Sequence, residues 1–165
     1  MEINFLAALL AALVPIVIGA VWYNPKVLGT AWMKSAGLTE ESLRGGNMPL
    51  IFGLTFVLSF LLAIILHTVV IHQYHVQSTL MSEPGFLEEG SEVRAYLGSF
   101  MENYGDNYRT FKHGALHGAI AGLFIALPIL GINALFERKG FRYIAINTGY
   151  WVITLTLMGG IICAM

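Results

Sequence analysis

The chain has 165 residues, 56% of them hydrophobic and 12% charged, with a net charge of −1 and a mean hydropathy of +0.69. Soluble domains carry about 25% charged residues, so an ordinary soluble domain is excluded, and the near-zero net charge leaves no basic field for nucleic acid. A single cysteine, Cys163, excludes a disulfide framework or a Cys-rich metal site and reads as a small apolar packing residue.

Four apolar runs, about residues 3–23, 48–72, 113–135 and 142–164, account for the missing charge. Runs of about 20 residues cross the roughly 30 Å of bilayer hydrocarbon. The expected fold is all-α: an integral membrane four-helix bundle over residues 1–165, one domain, with lipid around it. The first run lacks the basic start of a cleavable signal and ends in Trp22-Tyr23, which suit a membrane interface. Asn24-Pro25 then stops the helix. Val27, Leu28, Ala31 and Trp32 have helical spacing and predict a short interfacial helix ended by Gly37. Thr39 caps a further turn, and Pro49 fits the first turn of the second run.

The loop from about His75 to Arg109 is long and acidic, with Glu83, Glu88, Glu89, Glu92, Glu102 and Asp106. Inside it Val93, Tyr96, Leu97, Phe100, Met101 and Tyr104 form one helical stripe. This predicts an amphipathic helix over 91–104, capped by Ser91, packed on the bundle or lying on the membrane surface. The third loop, Glu137-Arg138-Lys139-Gly140, is short enough to make the last two runs an antiparallel hairpin.

Basic residues set an orientation. Lys26, Lys34, Arg44, Arg138, Lys139 and Arg142 flank loops one and three, whereas loop two and its flank hold Arg94, Arg109 and Lys112. The positive-inside rule places loops one and three in the cytoplasm, and both termini with the acidic loop outside.

The histidines are the leading chemical candidates. His67, His72 and His75 lie toward the end of the second run, and His113 and His117 open the third. Loop two joins those ends, so both sets approach one membrane face. His113 and His117, four apart, share a helix face. Together His67, His72, His113 and His117 offer a transition-metal site for an ion such as zinc, with Glu102 or Asp106 as a carboxylate ligand. The same residues also fit a proton relay or plain interfacial hydrogen bonding. Gly114, Gly118 and Gly122 repeat every fourth residue, a small-residue face that admits a close helix. Its partner is span two, span four or the same face of another subunit. Pro15 and Pro128 kink their spans. Asn133, Glu137 and Asn147 flank the third loop and read as a structural polar cluster, since an unmet amide in hydrocarbon costs several kcal/mol. No phosphate loop, nucleophile elbow or Cys-x-x-Cys is present.

Several short motifs form a pattern. Trp22-Tyr23-Asn24-Pro25, Gly29-x-x-Trp32-Met33 and Gly37-Leu38-Thr39, then Asn133-Ala134-Leu135-Phe136-Glu137-Arg138, Ile146-Asn147-x-Gly149-Tyr150-Trp151 and Met158-Gly159 together resemble the bacterial family called domain of unknown function 1761. The resemblance covers spans one, three and four and the first loop. It implies a small four-span protein of the bacterial inner membrane, and it carries no catalytic residues over. Three functional readings stand: a non-enzymatic scaffold or accessory subunit acting through helix contacts with its own copies or another membrane protein; a small oligomeric proton- or metal-linked transporter using the histidines; and a metal-dependent membrane enzyme.

Overall fold

The computed structural model describes residues 2–165, and all regular structure among them is helical. In chain order these are α1 (Phe5–Trp22), a π turn (Pro25–Gly29), α2 (Thr30–Ala36), α3 (Glu40–Leu43), α4 (Met48–Val70), α5 (Gln73–Leu80), α6 (Glu92–Tyr104), α7 (Phe111–Ala121), a second π turn (Gly122–Ala126), α8 (Leu127–Phe136) and α9 (Phe141–Ala164). Helix α1, helix α4, the continuous unit Phe111–Phe136 and helix α9 are long and apolar enough to cross a membrane.

Local chemistry explains the breaks. Pro128 has no N–H to give and its ring would crowd the carbonyl one turn back. The third span therefore widens, and the Leu127 N–H reaches back to the Gly122 carbonyl. In loop one the Gly29 N–H reaches the Asn24 carbonyl at 2.9 Å, while the Asn24 side chain accepts from the Lys26 N–H at 2.9 Å. A Cβ on Gly29 would overlap the Tyr23 carbonyl, so this wide turn requires glycine. Gly37 ends α2 at φ +76°, and Thr39 and Ser42 form a reciprocal capping box on α3.

Span two closes with a break in the helix. Helix α4 stops at Val70, and Ile71 is extended. The β-branched run Thr68-Val69-Val70-Ile71 favours that change without a glycine or proline to announce it. The chain restarts as α5 at the start of loop two, a helix outside the elements expected from the sequence. Ser91 caps α6 through the Arg94 N–H at 3.3 Å. None of the α6 residues is buried, and α6 packs against α5.

Helix α9 is the hub, with 56% of its apolar window buried against 17–28% for the other spans, and it touches α1, α2, α4 and α7. Gly114, Gly118 and Gly122 all face it: a Cβ on Gly114 would meet the Gly159 carbonyl and Cys163, one on Gly118 the Leu155 carbonyl, and one on Gly122 the backbone of Val152. The stripe is thus used inside the chain, between spans three and four. Helix α1 contributes a face of Ala7, Ala8, Ala11 and Ala12, all fully buried, while Leu9, Leu10 and Leu13 point outward. In lipid, such small faces gain van der Waals contact that bulkier side chains would prevent.

Candidate functional site at the loop-two end

Helix α7 begins at Thr110, whose hydroxyl caps the His113 N–H at 3.3 Å. His113 and His117 then project from adjacent turns of one face. His72 lies just past the end of α4 and meets both: its ring centroid is 4.9 Å from that of His113 and 4.9 Å from that of His117. The Nε2 atoms of His72 and His113 are 2.9 Å apart. One ligand nitrogen from each of His72, His113 and His117 lies within 4.8 Å of the others. His72 is exposed and the other two are half-buried.

Coordination geometry fits this spacing. Two nitrogens about 2.0–2.1 Å from a tetrahedral ion are about 3.3 Å apart. The close pair would open by a few tenths of an ångström and the third ring would swing in, both rotamer-scale movements. Glu102 and Asp106 are not members of the group, so the carboxylate offered by the sequence does not join it.

Loop chemistry holds the group in place. The Gln73 side-chain amide donates to the Tyr104 carbonyl at 3.0 Å and the Asn107 carbonyl at 2.9 Å. Tyr108 adopts φ +62°, a conformation uncommon for a non-glycine residue, and its ring lies 5.0 Å from that of His113. Arg109 donates from Nε to the Cys163 carbonyl at 3.0 Å. The Cys163 thiol, expected to be apolar packing only, approaches the carbonyls of Tyr108 at 3.3 Å and Val70 at 3.4 Å. The Tyr74 hydroxyl donates to the Glu2 carbonyl at 2.8 Å. Burial raises that phenol above its usual range, against a lowering by Arg109, so it stays a donor.

His67 is placed apart from the group. It is 1% exposed, and its Nδ1 pairs with the Ala63 carbonyl of its own helix at 2.8 Å. The carbonyl only accepts, so Nδ1 carries the proton and the buried Nε2 has no donor facing it among the described residues. The residues at the hairpin also sort differently from the expected cluster. Asn147 accepts from the Tyr23 hydroxyl at 2.9 Å and donates to the Tyr143 carbonyl at 2.8 Å. Asn133 and Glu137 are exposed and joined through the backbone, the Glu137 N–H donating to the Asn133 carbonyl at 2.9 Å.

A second constellation, missed in the sequence as a unit, lies at the opposite end of the bundle. Trp22 donates from Nε1 to the Ile146 carbonyl at 3.0 Å and its ring covers Gly149. The Tyr23 ring meets Trp32 edge to face and Tyr150 at a tilt, with centroids 5.2 Å apart in each pair. Lys139 donates to the Ala36 carbonyl at 2.5 Å, a cation at the negative end of α2. These residues clamp loop one onto α9. Their short motifs were legible one by one, but the pairing of residue 23 with residue 147 was not.

A family model described as protein of unknown function (DUF1761) matches residues 6–163, nearly the whole chain. No curated protein and no solved structure matches the chain.

Proposed function

We propose, for a chain that belongs to the DUF1761 family of proteins of unknown function, a metal-binding membrane protein whose His72, His113 and His117 hold a late first-row transition ion such as zinc. The observation that carries this reading is the convergence of three imidazoles, two from α7 and one from the break between α4 and α5, with ligand atoms within 4.8 Å. Neutral imidazole suits zinc, copper and nickel, and three histidines leave a tetrahedral ion one open position. On the positive-inside argument the site faces outward from the bacterial inner membrane, at the end shared by both termini.

Other readings gain less from the geometry. A scaffold working through Gly114, Gly118 and Gly122 lacks that face, because α9 occupies it. A transport path within one chain would run through an interior filled by Ala8, Ala11, Ala63, Leu66, Met158 and Ile162.

The test is elemental mass spectrometry of protein purified in mild detergent without chelator. The wild type and a His67→Ala variant should carry stoichiometric metal, and a His113→Ala/His117→Ala variant should lose it. Metal-free wild type after incubation with zinc would sink the reading.

A further inference from the structure

The connection from α6 to α7, residues 105–110, carries one strained residue. Tyr108 sits at φ +62°, in the left-handed region where a Cβ crowds the following carbonyl oxygen and glycine is the least costly occupant. The connection does contain a glycine, Gly105, but that residue keeps a helical φ of −59°. A backbone strained in this way persists only where its surroundings over-determine it, and such residues collect at functional sites. Burial does not account for a tyrosine here, because Tyr108 is 66% exposed. Its hydroxyl does not account for it either, having no protein partner among the described residues.

What the ring touches is the histidine group. It lies 5.0 Å from the His113 ring at 32° and 6.3 Å from the His72 ring, edge-on at 81°. Those two imidazoles come from different segments, and their Nε2 atoms are 2.9 Å apart. The backbone beneath the ring is fixed from two sides. The Tyr108 carbonyl accepts from the Thr110 N–H at 2.8 Å and is met by the Cys163 thiol at 3.3 Å. The same thiol approaches the carbonyl of Val70 at 3.4 Å, two residues before His72, so the end of α9 ties together the segments that bear Tyr108 and His72. We infer that Tyr108 is a positioning residue of the metal site: its left-handed backbone is held in place so that its ring confines the His72 and His113 imidazoles in orientations ready for the ion. Imidazoles already confined have less rotamer freedom to lose on binding. The inference rests on the metal reading above and adds to it a residue outside the three ligands.

The test compares wild type, Tyr108→Phe, Tyr108→Ala and Tyr108→Gly in mild detergent. Zinc affinity is read by competition with a chromophoric chelator, and melting is followed on chelator-stripped protein. Tyr108→Phe keeps the ring and should bind zinc within about twofold of the wild type. Tyr108→Ala and Tyr108→Gly should each bind at least about tenfold more weakly, roughly 1.4 kcal/mol. Without metal, Tyr108→Gly should still melt at or above the wild type, because glycine relieves the left-handed strain. Tyr108→Ala, which keeps a Cβ at positive φ, should melt below the glycine variant. A chain that is no less stable yet holds zinc less tightly has not simply lost its fold. Cobalt(II) in place of zinc reports the geometry: its visible ligand-field bands should be kept in Tyr108→Phe and altered in Tyr108→Gly.

The failures are separable. Zinc held as tightly by Tyr108→Gly as by the wild type overturns the inference and leaves the metal reading standing. Equal weakening in Tyr108→Phe also overturns it, since the effect would then belong to the hydroxyl and not to the ring. Tyr108→Gly melting well below the wild type overturns it as well, because the tyrosine would then serve the fold. Wild type that binds no zinc overturns the metal reading, and the inference with it.

Discussion

At the scale of single residues, the glycines separate by what a methyl group would meet. A Cβ on Gly114 would overlap the Gly159 carbonyl and Cys163, whereas one on Gly53 meets nothing within 4 Å. Overpacking costs about 1–3 kcal/mol, while alanine in an open helix position gains up to about 1 kcal/mol. Gly114→Ala should therefore melt well below the wild type in detergent, and Gly53→Ala at or above it. Equal melting of the two variants would mean that α7 and α9 are not in backbone contact. Tyr23 and Asn147 give a second case. Removing either side of their bond costs about 1 kcal/mol, so Tyr23→Phe and Asn147→Ala should be clearly non-additive in a double-mutant cycle, and full additivity would dissolve the pair. These outcomes bear on what a sequence reveals. The repeat of Gly114, Gly118 and Gly122 announced a close helix, since spacing alone puts them on one face. Its partner stayed open because α4, α9 and another subunit were equally apolar candidates. Asn147 was read with Asn133 by proximity in the hairpin, yet it turns inward to α1, a pairing of residues 124 positions apart that no local pattern encodes.

Among elements, the spans were legible because a bilayer demands long uninterrupted apolar helices, and α6 because its stripe repeats at helical period. The break at Ile71 and helix α5 were not, since no glycine or proline marks them. That break matters because it frees His72 from α4 to reach His113 and His117. Gln73, immediately after it, ties α5 to the carbonyls of Tyr104 and Asn107 and so fixes the segment carrying Tyr108. Gln73→Ala removes both bonds and should cost about 1–3 kcal/mol locally. Amides of residues 104–109 should exchange faster with solvent, and metal affinity should fall several-fold while the overall melting temperature changes little. Unchanged exchange in that segment would show that the histidines are held by the transmembrane helices alone.

For the whole molecule, orientation decides which compartment the histidine end meets. Lys26, Lys34 and Arg44 lie in loop one and Arg138, Lys139 and Arg142 lie in or beside loop three, the end clamped by Tyr23, Trp32 and Lys139. The histidine end carries Arg109 and Lys112 close to the helix starts, with the acidic α5–α6 region above. Asn4 donates to the Met165 carbonyl at 3.2 Å, which puts both chain ends beside that region. Lysine and arginine near span ends hold their loops in the cytoplasm, so the heavier set should govern. A C-terminal alkaline phosphatase fusion should be active and a C-terminal green fluorescent protein fusion dark in a bacterial inner membrane, with the reverse for fusions in loop three. The converse pattern would place His72, His113 and His117 in the cytoplasm. There a zinc site competes with tightly buffered metal pools. The same geometry would then meet a different supply of ion, which is why topology is the measurement on which the physiological meaning of the site turns.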